Sequence, residues 1–347
     1  MLLAKYTKYN LHFRKPAITS RATMLEKETY FIKIWDDTNP TIYGVGECAI
    51  FRGLSADDDA NYEAHLKQVC DNINQISPDK IEQSSIRFGV ETALYDLANN
   101  GQRIIFNSNW LDGYNPIPIN GLIWMGNYSE MLNRIIEKIE AGYSCIKLKI
   151  GGIDFNKEIK LLRFIRGNFS ADDLQIRLDA NGAFSPNNAI EYLDKLSKYS
   201  IHSIEQPIKQ NQWSSMAEIC RNSPIPIALD EELIGINESA RKEEMLSTIN
   251  PHYIILKPSL CGGFYGSNEW INLANRNSIG WWATSALESN IGLNAIAQWV
   301  ATLNTKMPQG LGTGNLYTNN IPSPICQADD VLTYNKSLSW QIPSVIL

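Results

Sequence analysis

The chain has 347 residues, 44% of them hydrophobic and 20% charged, which is ample for a sizeable core and excludes a disordered polypeptide. Thirty-one Lys and Arg against 37 Asp and Glu give a net charge of −6, with no basic run able to track a phosphate backbone, so no nucleic-acid partner is expected. No segment approaches the ~20 apolar residues of a membrane span, and Lys5 and Lys8 interrupt the start where a secretory leader would be apolar. The six cysteines form no C-x-x-C pair, which argues against a zinc knuckle or a disulfide framework. A cytoplasmic chain with reduced, mostly buried thiols and no membrane partner is the expectation.

Residues 30–35 (YFIKIW) and 41–47 (TIYGVGE) read as strands, with Ile32 and Ile34 alternating against polar neighbours. The period then changes. Ser55 and the acidic run after it serve as N-cap and first turn for a helix carrying Leu66, Val69, Ile73 and Ile76. A second helix carries Ile86, Val90, Ala93, Leu94 and Leu97 and stops at Asn-Asn-Gly101. These elements make residues 1–112 an α+β domain.

From residue 117 a pattern repeats: IPINGLI (117–123), CIKLKI (145–150), LQIRLDA (174–180), IHSIEQ (201–206), IPIALDE (225–231), YIILKP (253–258), GWWATSALE (280–288) and PQGLGTG (308–314). Helical punctuation lies between, such as Ser129 ahead of Ile135, Ile136 and Ile139, and Ser185-Pro186 ahead of Ile190, Leu193 and Leu196. Strand starts about 25 to 30 residues apart fit one β-loop-α-loop unit. Eight units predict a (β/α)₈-type barrel over 113–325, with 326–347 as a C-terminal segment packing back on the first domain. The eighth strand, rich in glycine and poor in β-branched residues, is the weakest of the set.

Active sites of such barrels lie at the C-terminal rim of the strands. There the strands close on Lys147-Leu-Lys149, Asp179, Glu205, Asp230 and Lys257, and the seventh leads to Ser285 and Glu288. Lys147 and Lys149 are two apart and share a face. Each acid has an ordinary explanation: Asp179 opens a turn, Glu205 precedes Gln-Pro, and Asp230 begins an acidic helical turn. Turn chemistry does not explain a carboxylate at the same point of three consecutive repeats. Three such acids converging resist joint ionisation unless a cation sits among them, and all-oxygen ligation favours Mg²⁺, with Mn²⁺ as the alternative. A lysine beside a divalent ion and a second ammonium is pushed toward the neutral form that a general base requires, although salt bridges to the acids are an equal reading for either lysine alone.

This constellation resembles the enolase superfamily, and within it the muconate-lactonising subgroup. The subgroup's K-x-K, D-x-N, E-Q-P, D-E and later K patterns stand here as Lys147-Leu-Lys149, Asp179-Ala-Asn181, Glu205-Gln-Pro207, Asp230-Glu231 and Lys257-Pro258. The resemblance spans nearly the whole chain. It implies a capping α+β domain ahead of the barrel, with Pro16–Met24 and the loop around Arg52–Leu54 over the pocket. It also implies Asp179, Glu205 and Asp230 as ligands of Mg²⁺, and Lys149 and Lys257 as an acid/base pair acting on a proton beside a substrate carboxylate. Lys147, Arg177, Asn181, Ser285 and Glu288 become candidates for binding substrate or supporting the site, with a buried structural salt bridge nearly as good a reading for Arg177. The run Ser285-Ala-Leu-Glu288-Ser-Asn-Ile-Gly292 is most similar to dehydratases of menaquinone biosynthesis. Dipeptide epimerases of the subgroup usually carry D-x-D after the last strand, whereas residues 310–324 here hold no acid. That disfavours an ammonium-bearing substrate and leaves N-acylamino acid racemisation open. A glycoside hydrolase pairing Glu205 with Asp230 is the reading from another class, and it gives the lysines no role. The oligomeric state is not readable. His12, His65, His202 and His252 are scattered, which gives zinc or Ser-His chemistry little support.

Overall fold

The computed structural model of the chain describes residues 1–18 and 23–346. β1 (Leu2–Ile18) and β2 (Thr23–Asp36) form a long antiparallel pair, and β3 (Tyr43–Cys48) adds to the other edge of β2. β1 is the element that the periodicity argument passes over. Leu2, Ala4 and Tyr6 share one face, which packs on the core of this region, while Tyr9 on the other face packs with Phe31.

α1 (Tyr62–Asp71) begins later than Ser55, which corrects the expected cap. Ser55 instead accepts from the Phe51 backbone N–H at 2.9 Å, and Asp58 pairs with Arg52. Asp57 caps a different helix: it accepts from the backbone N–H groups of Ser84 (3.0 Å) and Ser85 (2.8 Å) at the start of α2 (Ser84–Ala98). The expected stop holds, because Asn100 and Gly101 take φ of 59° and 65°, and a Cβ at Gly101 would strike the Tyr43 carbonyl.

The run 117–123 splits. β4 (Ile117–Pro118) turns away, while β5 (Gly121–Ile123) starts a curled parallel sheet. Chain order then gives α3 (Tyr128–Glu140), β6 (Cys145–Lys149), α4 (Phe155–Asn168), β7 (Gln175–Asp179), α5 (Pro186–Ser197), β8 (Ser203–Glu205), α6 (Trp213–Asn222), β9 (Ile227–Leu229), α7 (Ser239–Ile249), β10 (Tyr253–Leu256), α8 (Gly263–Arg276), β11 (Gly280–Ala283) and α9 (Asn290–Thr302). Asn127 caps α3, in place of the expected Ser129. Its side chain accepts from Glu130 N–H at 3.0 Å while the Glu130 carboxylate accepts from Asn127 N–H at 2.8 Å. Ser185 and Pro186 open α5 as read from the sequence.

Seven strands, not eight, form the sheet, in the order β11-β10-β9-β8-β7-β6-β5. The expected eighth run makes only isolated parallel bridges, Gln309 to Ile119 and Gly310 to Thr284. These carry backbone bonds of 2.8–3.0 Å, from Gln309 N to Pro118 O, Asn120 N to Gln309 O, Gly310 N to Ala283 O and Ser285 N to Gly310 O. A segment poor in β-branched residues has little side-chain packing to extend the pairing further. Period-2 alternation sorts the sheet's side chains. Ile146, Leu148, Ile176 and Leu178 join the large core beneath the helices, while Ala228, Ile255 and Trp282 form a separate cluster on the opposite face. Beyond α9, β12 (Ile325–Ala328) and β13 (Val331–Tyr334) build a small sheet with β4, and Trp340, Ile342 and Ile346 pack with Phe31 and Val45 of the N-terminal sheet. Among the described residues no helix is long and apolar enough to cross a membrane, and five of the six free cysteines are buried.

Candidate active site

Parallel register brings the charges level. Lys149 on β6 stands opposite Asp179 on β7, which stands opposite Glu205 on β8. Asp230 directly follows β9 and Lys257 directly follows β10, so one sheet edge to the next reads lysine, acid, acid, acid, lysine. Lys147 Nζ bridges Asp179 Oδ2 (3.1 Å) and Glu205 Oε2 (2.9 Å). Lys149 Nζ lies 2.9 Å from the same Asp179 oxygen and donates to Asn181 Oδ1 at 2.8 Å. Lys257 pairs with Asp230.

Burial and charge compete at every group here. Burial opposes ionisation of Asp179, but Lys147 and Lys149 hold its carboxyl well below the usual range. Asp230 is lowered likewise by Lys257 against its own burial. Glu205 goes the other way: burial, reinforced by the Asp179 charge, pushes its carboxyl up to about 8. Burial pulls on Lys147 and Lys257 too, yet the surrounding acids outweigh it and raise both. The expected drift of Lys257 toward neutrality is therefore not what the protein groups alone produce, because the charges nearest it are carboxylates.

Among the described residues no three His, Cys, Asp or Glu side chains stand positioned to share one ion, and the Lys147 ammonium occupies the space between Asp179 and Glu205. Glu205 Oε1 is buried with no hydrogen-bond partner. An orphaned carboxylate oxygen in an all-oxygen acid cluster fits a hard divalent cation such as Mg²⁺.

These groups open into one cavity that is partly open to solvent. Lys147, Lys149, Asp179, Asn181 and Lys257 form one side of it. Met24, Phe51 and Leu54 reach it from the N-terminal region, where the resemblance implies covering loops; Thr19 to Ala22 of that expectation lie outside the described residues. Arg52 points elsewhere, to Glu28 and Asp58. Trp124 lies 5.9 Å below the Lys149 ammonium.

The other candidates divide. Ser285 lines the cavity, and its hydroxyl donates to Glu288 Oε2 at 2.5 Å. Glu288 does not line it: fully buried, it also accepts from Ser259, two residues past Lys257, and so ties two rim loops together. Arg177 is 1% exposed beneath the rim, its guanidinium 4.2 Å over Trp282 and donating to the Pro308 carbonyl at 2.8 Å. No ion pair among the described residues includes Arg177. Sequence reasoning missed Asn120, Trp124, Thr284 and Thr313 in the lining, all uncharged residues with no motif to flag them. It also missed the work of Gln206, whose φ of 42° turns the chain sharply after Glu205 and whose Oε1 accepts from Asp230 N–H at 3.2 Å. The E-Q-P motif was the available signal for Gln206.

A curled β/α sheet with three acids flanked by lysines along its rim, preceded by an antiparallel sheet and helices, defines a class. The chain belongs to the enolase superfamily: residues 130–331 match the family described as enolase C-terminal domain-like. It is 45% identical to the o-succinylbenzoate synthase of Desulfotalea psychrophila, over 92% of this chain and 95% of that one. The crystal structure of MenC from the same organism superposes with a TM-score of 0.81 at 41% identity, covering 96% of this chain and 99% of the other. The dipeptide epimerase of Cytophaga hutchinsonii, crystallised with Mg and D-Ala-L-Val, shares the fold at a TM-score of 0.82 and 20% identity, covering 99% and 96%.

Proposed function

We propose that this chain converts 2-succinyl-6-hydroxy-2,4-cyclohexadiene-1-carboxylate to 2-succinylbenzoate, a Mg²⁺-dependent dehydration in menaquinone biosynthesis. The reading includes a closed (β/α)₈-type barrel at 113–325, residues 1–112 as its cap, 326–347 packed back on that cap, and a cytoplasmic location. The observation that carries the chemistry is the meeting of Lys149 and Lys257, from strands on opposite sides of the acids, in one cavity. The likeness to the Desulfotalea synthase supports the choice of substrate.

Asp179, Glu205 and Asp230 would hold the ion. When bound, Mg²⁺ supplies positive charge beside the substrate carboxylate and so acidifies the neighbouring C–H. Lys149, paired here with Asp179, would be free to move a proton once that acid has another counter-charge. Lys149 Nζ takes the proton from the ring carbon bearing the carboxylate, leaving an enediolate. Collapse of that enediolate forms the ring double bond and breaks the bond to the 6-hydroxyl, which leaves as water with the proton returned by Lys149. Lys257, kept as an ammonium by Asp230, faces the developing negative charge. Asn181 orients Lys149 and is itself held by Glu231, to which its amide donates at 3.0 Å.

Following cyclohexadiene absorbance tests this directly: loss should require Mg²⁺ and stop in EDTA. Turnover that persists in the chelator sinks the metal-dependent reading, and a hydrolase using Glu205 and Asp230 would behave that way. The same two lysines also suit proton exchange on either face of an N-acylamino acid, so N-succinylamino acid racemisation belongs beside it in the assay. The absence of an acid in 310–324 weighs against dipeptide epimerisation.

A further inference from the structure

The cavity wall has two unlike parts. Charged groups come from β6 through β10, whereas the flanking strands supply Asn120 just before β5, Thr284 just after β11 and Thr313 beyond the bridging segment. These three are 4%, 8% and 5% exposed, and in each a side-chain oxygen has no hydrogen-bond partner: Asn120 Oδ1, Thr284 Oγ1 and Thr313 Oγ1. Buried polar atoms are rarely left so, and three together in the wall of one cavity require an explanation. Local crowding preserves the arrangement, since a Cβ at Gly310 would strike the Thr284 side chain. Among the described lining residues this part carries no ionisable group.

We infer that Asn120, Thr284 and Thr313 form a neutral hydrogen-bonding subsite for the second, distal carboxylate of a dicarboxylate substrate. The inference rests on the proposed reaction, whose substrate has one carboxylate on the ring and another at the end of its succinyl arm. Two threonine hydroxyls donate to that arm, and the Asn120 amide, turned by a half rotation, presents its NH₂. A neutral wall suits the task. It binds a carboxylate without placing a cation where it would compete with the lysines for the ring carboxylate, which sets the direction in which the substrate enters.

Binding of 2-succinylbenzoate and of 2-butanoylbenzoate, which lacks only the distal carboxylate, separates the possibilities when measured calorimetrically in Mg²⁺. Wild type should prefer the succinyl compound. Thr284→Val and Thr313→Val should each cut that preference about tenfold, and Thr313→Ser, which keeps the hydroxyl, should retain it. An unchanged preference in both valine variants, with thermal unfolding midpoints intact, overturns the subsite while leaving the proposed reaction standing. A wild type that neither turns over the cyclohexadiene nor distinguishes the two benzoates overturns both.

Discussion

Buried carboxylates occupy two regions of this molecule and are used differently in each. Where the N-terminal sheet and helices meet the barrel helices, Glu47 of β3 accepts from Thr29 Oγ1 (2.9 Å), Ser289 N (3.0 Å), Ser289 Oγ (2.6 Å) and Gly292 N (3.0 Å), so both its oxygens are spent on the first turn of α9. Glu91 of α2 serves α8 in the same way, through Phe264 N at 2.6 Å and Tyr265 N at 3.4 Å. At the rim, Asp179, Glu205 and Asp230 lean on lysines, and Glu205 keeps an oxygen with no partner. The seam acids hold helix N-termini, where backbone N–H groups favour negative charge. The rim acids face lysine ammoniums and, at Glu205, leave an oxygen that nothing satisfies. Burial by itself therefore marks neither a site nor a strut; the kind of partner distinguishes them.

The sharpest way to break that contrast is Lys149→Ala, expected to lower turnover by about 10³-fold or more while leaving the fold and Mg²⁺ affinity largely intact. Substantial residual dehydration would remove Lys149 from the mechanism. Glu47→Ala should do the reverse. With two N–H groups and two hydroxyls of the seam left unserved, urea unfolding should show a loss of about 2–4 kcal/mol, whereas kcat per folded molecule should move only a few-fold. Lost turnover without lost stability would transfer Glu47 to the active site.

A further effect is a pH dependence. Burial raises the Glu91 carboxyl from 4.5 to about 7 against the pull of its backbone donors, and burial does the same to Glu158, which accepts from the Gly151 N–H. Because the folded state keeps a proton that the unfolded state releases, the stability contributed by these two acids falls as pH rises from about 4.5 to about 7 and is level above that. Each acid contributes up to about 3 kcal/mol to the fall. Glu91→Gln should remove roughly half of the combined slope and leave the variant the more stable of the two at pH 8. Parallel unfolding curves for the two proteins between pH 5 and 8 would assign the slope to other groups.

Legibility in the sequence followed the kind of signal. Lys147, Lys149, Asp179, Glu205, Asp230 and Lys257 could be placed because each closes an apolar run, and alternation fixes which face it takes. Arg177 obeys the same alternation and shares the face of Asp179, yet lies too deep to reach the cavity, since pattern gives the face and not the depth. Glu288 sits in a motif and still turns away from the pocket to bind Ser259 and Ser285. Asn120, Thr284 and Thr313 had no signal at all: neutral residues separated by most of the barrel become neighbours only when the sheet curls. The acidic run after Ser55 misled because Asp57 caps a helix distant in sequence.

The sequence by itself determined the repeating β/α units, the inward set of lysines and acids, and the absence of acid after the last strand, because these follow from periodicity and residue chemistry. Tertiary structure decided which acids would be saturated and which left wanting. It also reduced the eighth strand to two bridges and set neutral residues beside charged ones in the wall of one cavity. Those outcomes depend on strand stagger, on the curl of the sheet and on which helix end meets which carboxylate, and no local stretch of chain encodes any of the three.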